Sequence, residues 1–172
     1  MDENRPGRSE WLRAVLARFE RPLVRYAHQL TGDLERARDV VQDTFVALLA
    51  ETQQLADDHL PRWLFSVCRN RAVDVQRKEN RMKPQTDERM DRHPAAGPGP
   101  VALAERRAEA RSVLAALDRL PASQREVVRL KFQNGLSYKE IAQVTGHSVS
   151  NVGVLIHTAV KSIRAELGGD AK

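Results

Sequence analysis

The sequence reads as all-α: two small helical domains joined by a flexible linker, the C-terminal one a helix-turn-helix domain. Three observations carry this. Apolar residues recur at three- and four-residue spacing through most of the chain, the period of helices with one buried face. That period stops over residues 81–100, where Pro84, Pro94, Pro98 and Pro100, with Gly97 and Gly99, cannot continue a helix. Finally, Ser137 precedes Glu140 by three residues, ahead of Ile141, Ala142 and Gly146, which marks a short capped helix closed by a glycine turn. The boundaries that follow are 9–80 for the first domain, 81–100 for the linker and 101–168 for the second.

The N-terminal residues 1–8 are polar and read as loose. Trp11, Leu12, Val15, Leu16 and Phe19 then set a first helix, and Pro22 marks a break or a new first turn. A second helix then carries Leu23, Val24, Ala27 and Leu30, ending at Thr31-Gly32. Asp33 is a natural N-cap for a helix running to about Thr52, with Ala37, Val40, Val41, Thr44, Phe45, Leu48 and Leu49 as its apolar stripe. The opposite side shows Arg38, Asp39, Gln42 and Asp43, either a solvated face or an interface.

After Pro61 a further helix spans about 62–80, with Leu64, Val67, Cys68, Ala72 and Val75 on one stripe and the aliphatic stem of Arg71 beside them. Arg69, Asn70, Asp74, Arg77 and Lys78 occupy the other side. Basic and amide groups near aromatics suit unpaired nucleic acid. Trp63 reads as core, while Phe65 is left between core packing and base stacking.

Beyond the linker, Leu103, Ala110, Val113, Leu114 and Leu117 form a stripe that ends at Leu120-Pro121. Val127, Val128, Leu130 and Phe132 form another, closed by Gly135. The capping box starts a helix at Tyr138, and Ser148 offers a second N-cap after Gly146. Ile141, Val149, Val152 and Leu155 are spaced to share one seam, with a second helix over 149–167 placed to enter a major groove. An unrelated helical hairpin is the competing reading.

Bulk properties agree with a nucleic-acid partner. The 172 residues carry a net charge of +5, unevenly distributed. Residues 60–83 hold seven basic side chains against Asp74 and Glu79, whereas residues 9–58 hold six basic and nine acidic ones, which implies two different partners. The single Cys68 allows no intramolecular disulfide, and no Cys/His cluster has zinc-site spacing, so neither metal nor cofactor is expected. The charged N-terminus lacks a signal-peptide core and no apolar run is long enough to span a bilayer, so a cytoplasmic protein with no direct membrane insertion is expected.

Four motifs in order resemble those of the extracytoplasmic-function sigma factors, small bacterial sigma-70 relatives. They are Asp39-Val-Val-Gln-Asp43-Thr-Phe45, Trp63-Leu-Phe-Ser-Val-Cys-Arg69-Asn70, Leu120-Pro-Ala-Ser-Gln-Arg125-Glu-Val and Gly135-Leu-Ser-Tyr-Lys-Glu-Ile-Ala. The resemblance implies a dissociable specificity subunit of bacterial core RNA polymerase. It assigns core-polymerase contacts to Asp39, Gln42 and Asp43, with Leu49 a weaker candidate. It assigns minus-10 DNA to Arg69, Asn70, Asp74, Arg77 and Lys78, with a flipped base whose unstacking cost is offset by a pocket in the loop at 53–59.

For the duplex minus-35 element, the polar groups left on the last helix are Ser148, Ser150, Asn151, His157 and Lys161, His157 being equally readable as a surface residue without a role. Gly153, Leu155 and Thr158 stand where the family often has basic residues, so a shallow salt dependence is expected. The family also implies an anti-sigma factor as a partner, for which the linker leaves the two domains free to rearrange. A stand-alone helix-turn-helix regulator is the alternative, disfavoured by the Asp39–Asp43 surface and the lack of a dimerisation helix. A nucleic-acid enzyme finds no support, because Cys68 lies on an apolar stripe and no catalytic residue or metal site is evident.

Overall fold

The computed structural model describes residues 7–51, 56, 58–82 and 101–169, the side chains of 101–107, 109 and 169 excepted. Among these residues it is all-helical, and the chain divides into two units, residues 1–90 and 91–172. The first contains α1 (Arg8–Thr31), α2 (Leu34–Ala50) and α3 (Leu60–Met82). The second contains α4 (Val101–Arg119), α5 (Ala122–Phe132), α6 (Tyr138–Thr145) and α7 (Val149–Gly169). The expected linker lies outside the described residues except for Arg81 and Met82, which belong to α3.

In the first unit each helix packs on the other two. Pro22 does not divide α1, contrary to expectation. Its ring removes the N–H that would pair with the Arg18 carbonyl, yet Arg18 is exposed and water can satisfy that oxygen. Val15 and Phe19 before the proline and Leu23, Tyr26 and Ala27 after it are buried on one face, so core packing holds the two halves in register. Tyr26 meets Phe65 edge to face, with ring centroids 5.3 Å apart, and Phe65 is only 1% exposed. Base stacking by Phe65 is thereby ruled out: its ring is buried against Tyr26 of α1. Trp63 is half-buried.

Asp33 caps α2 by accepting from the backbone N–H of Arg36 at 2.9 Å, a bond that holds its carboxyl below the usual carboxylate value. At the other end, the Arg8 guanidinium donates to the carbonyls of Leu49 and Glu51, each at 2.7 Å, satisfying acceptors that a helix end leaves open. Arg8 is therefore the first residue of α1 and tied to α2, not part of a loose tail. Gln76 donates to the Leu30 carbonyl and Arg36 pairs with Glu79 at 2.5 Å, which fix α3 against α1 and α2. Cys68, buried beside Thr44 at the α2–α3 seam, has its thiol pushed up to about 12 by burial.

In the second unit α7 packs against α4, α5 and α6. Leu117, Leu120, Val128 and Ala159 form one core cluster with Ile163 against it. Two expectations change here. On α5 Arg129 is buried alongside the expected Val127, Val128 and Leu130, while Phe132 is 64% exposed. Arg129 can be inside because Asp118 at the end of α4 accepts from its Nη2 at 2.6 Å, a buried charge being tolerable only when paired. On α4, Ala110, Val113 and Leu114 are exposed, and among its described side chains the first buried one is Ala116; Leu103 lies outside the described side chains.

The capping box is complete: the Glu140 N–H donates to Ser137 Oγ at 3.2 Å, and the Ser137 N–H to Glu140 Oε2 at 2.7 Å. Gly146 closes α6 at φ +77°, in the left-handed region that favours glycine, and the Asn151 N–H donates to Ser148 Oγ at 3.1 Å, which caps α7. The buried side of α7 is Val152, Ile156 and Ala159. Val149 is exposed and Leu155 half-buried, so the seam of the turn is displaced from the expected one.

Candidate protein and nucleic-acid interfaces

On α2 the buried residues Ala37, Val40, Val41, Thr44 and Leu48 fix which side faces water. Asp39, Gln42 and Asp43 are all exposed, on adjacent turns of that outer side. The surface does not stop there. Val46, which sequence reasoning passed over, is 55% exposed three residues after Asp43, and Leu49 is 53% exposed one turn further on. Leu49 thus leaves the buried stripe to which its spacing assigned it. An acidic head continued by two solvent-facing aliphatic side chains is an amphipathic surface of the kind that docks on another protein. Val46 could have been found by projecting α2 at about 100° per residue, which puts it opposite the core.

The residues expected to bind minus-10 DNA do not share one surface. With about 100° between successive residues, Asn70 and Arg77 point away from the buried side of α3, Arg69 lies on one flank and Lys78 on the other. Lys78 and Asp74 instead line a shallow groove between α2 and α3 together with Asp39, Val40, Asp43, Arg71 and Val75. Arg71 Nη1 donates to Asp43 Oδ2 at 3.4 Å across this groove. The acidic and basic segments, separate in the sequence, therefore meet along one line, and Asp74 joins the acidic side of it. In the expected loop at 53–59, residues 53–55 and 57 lie outside the described residues.

The first helix adds a feature that segment charge counts conceal. Arg18, Arg21, Arg25 and His28 recur at three- and four-residue spacing along the side of α1 opposite its buried face. Residues 9–58 are acidic in sum but carry a basic ridge. Arg21, Arg25 and His28 also border an open concavity of about 440 Å³ with Glu20, Val24, Leu34 and Arg38.

Ser148, just before α7, and Ser150, Asn151, His157 and Lys161 on it are all exposed. Ser150, His157 and Lys161 fall together opposite Val152, Ile156 and Ala159, and Asn151 lies to one side. Ser148 spends its hydroxyl oxygen on the cap, so its hydrogen remains to donate.

A bundle with an amphipathic outer face on one helix and basic side chains on another, in one chain with a helix-turn-helix unit, has the surfaces of a transcription protein that binds both protein and DNA. The family profile of Sigma-70 region 2 matches residues 15–82, and that of Sigma-70, region 4 matches residues 110–163. The ECF RNA polymerase sigma factor EcfG of Rhodopseudomonas palustris (strain TIE-1) is 32% identical over 143 residues, covering 83% of this chain and 77% of EcfG. CnrH, solved in complex with the cytosolic domain of CnrY, is similar with a TM-score of 0.62 and 28% identity, over 96% of this chain and 92% of CnrH. The sigma factor RpoE of Bartonella quintana, solved with the anti-sigma factor NepR, shares the fold with a TM-score of 0.67 and 24% identity, over 93% and 98% of the two chains. The chain belongs to the extracytoplasmic-function sigma factors of the sigma-70 family.

Proposed function

We propose that this sigma factor, which directs promoter-specific transcription initiation, divides the work between its two units. Residues 9–80, with α3 running on to Met82, bind core RNA polymerase and the minus-10 element; residues 101–168 bind the minus-35 element; the segment between them is a linker. The observation that carries the first assignment is the outer face of α2, where Asp39, Gln42 and Asp43 continue into exposed Val46 and Leu49. A solvated helix face has no need of that aliphatic end, and the carboxylates give it register on a basic partner.

Of the minus-10 candidates, the outward pair Asn70 and Arg77 is placed to meet an exposed strand, with Arg69 and Lys78 supplying phosphate contacts from the two flanks. Asp74 takes the lesser part, since a carboxylate among Asp39 and Asp43 repels phosphate. Ser148, Ser150, Asn151, His157 and Lys161 meet the duplex. The chain contributes binding and no chemistry of its own; its one thiol is buried and held protonated. It works in the cytoplasm, where polymerase and promoter are, and among the described residues no helix is long and apolar enough to cross a membrane. An anti-sigma factor, the partner implied by the family, is its further partner; CnrH, 28% identical to this chain, was solved in complex with another protein, the cytosolic domain of CnrY.

The test is equilibrium binding to bacterial core polymerase. The variant Asp39→Ala/Gln42→Ala/Asp43→Ala is expected to lose at least about tenfold in affinity, the scale of a few interface contacts, while staying folded, since all three side chains are exposed and the one ion pair lost, Asp43 with Arg71, is long and solvent-exposed. Unchanged affinity would place the polymerase contact on another face.

A further inference from the structure

The outer face of α7 has an unexpected centre. Val154 is 62% exposed, among the most exposed large apolar side chains of the described residues, and lies directly opposite buried Val152, Ile156 and Ala159. At about 100° per residue, Ser150, Val154, His157 and Lys161 occupy one strip of roughly 60°. Every neighbour of Val154 on that strip is polar. From Val149 to Val160 the helix carries no Lys or Arg, so this part of the face holds no phosphate-seeking charge. An aliphatic group ringed by hydrogen-bonding groups matches one feature of a major groove, the C5 methyl of thymine; the other base edges offer donors and acceptors only.

We infer that Val154 is a specificity-determining residue that reads a thymine methyl within the minus-35 element, with Ser150 and His157 hydrogen-bonding the base edges on either side. This rests on the assignment of α7 to that element. It also gives the stretch from Val149 to Val160, which lacks Lys and Arg, a source of discrimination: apolar contact with a methyl selects a base without adding salt-dependent affinity.

The test uses the full chain bound to core polymerase and a promoter whose minus-35 element has been mapped by footprinting. Each thymine of the element is replaced in turn by deoxyuridine, which removes the methyl and leaves pairing and hydrogen-bonding edges intact. For the wild type, one replacement is expected to weaken binding about fourfold, the effect of burying one methyl. In Val154→Ala, which keeps the helix and its caps, that same replacement is expected to have no effect, while the other positions respond as before. If no deoxyuridine weakens the wild type, or if the penalty persists undiminished in Val154→Ala, the inference is overturned. Loss of anti-sigma or polymerase binding in Val154→Ala with an unchanged deoxyuridine profile would also overturn it, in favour of a protein contact. A footprint without minus-35 protection would instead remove the assignment of α7 on which the inference stands.

Discussion

Cys68 shows how position decides the chemistry of a single side chain. It is fully buried beside Thr44, and burial pushes its thiol from an ordinary 9.0 up to about 12. Native protein at pH 8 should therefore resist a thiol-titrating reagent, with one thiol per chain appearing on denaturation; rapid reaction of folded protein would contradict the packing described. The folded value lies above the unfolded one, so the thiol's contribution to stability is complete below about pH 9 and is lost as pH rises toward 12. The stability advantage of the wild type over Cys68→Ala should shrink across that interval in denaturant titrations. Gly153 is a second case. It sits inside α7 without positive φ, and a Cβ there would meet only the Tyr138 ring at 3.8 Å, an ordinary contact. Nothing in the fold requires glycine, so Gly153→Ala should raise stability by about 0.5–1 kcal/mol, measured by chemical denaturation; a loss of stability would mean that the α6–α7 contact is tighter than described.

The helices show what a sequence discloses and what it does not. The starts of α2, α6 and α7 were legible because Asp33, Ser137 and Ser148 cap through local bonds that depend on no distant residue. Gly146 was legible for the same reason. Replacing Ser137 by Ala removes one half of the reciprocal cap and should cost about 1 kcal/mol, seen as a lower melting temperature of the second unit; no change would mean the cap is redundant. The rotational phase of each helix was less legible, because it depends on which neighbour it crosses. Leu114 and Phe132 fit an apolar period yet face water, and Arg129 lies inside because Asp118, eleven residues earlier, happens to reach it. Pro22 carried a true local signal, a lost hydrogen bond, that burial of Phe19, Leu23 and Tyr26 overrode.

At the scale of the molecule, charge counted by segment divided the first unit into an acidic and a basic part, whereas charge counted by face divides it differently. The basic ridge of α1 lies within the acidic segment, and the carboxylates of α2 meet Arg71 and Lys78 of α3 in one groove. The core-polymerase candidates are therefore contiguous and the minus-10 candidates dispersed, a difference that only the packing of α2 on α3 reveals. The α7 candidates needed no such help, since one exposed helix side collects most of them. The most direct measurement is start-site-mapped transcription from a linear promoter template with bacterial core polymerase. Discrete initiation is expected with the intact chain, and none with Asp39→Ala/Gln42→Ala/Asp43→Ala at a concentration where the intact chain saturates. Promoter-specific initiation by that variant at full strength would contradict the assignment of these residues to core binding.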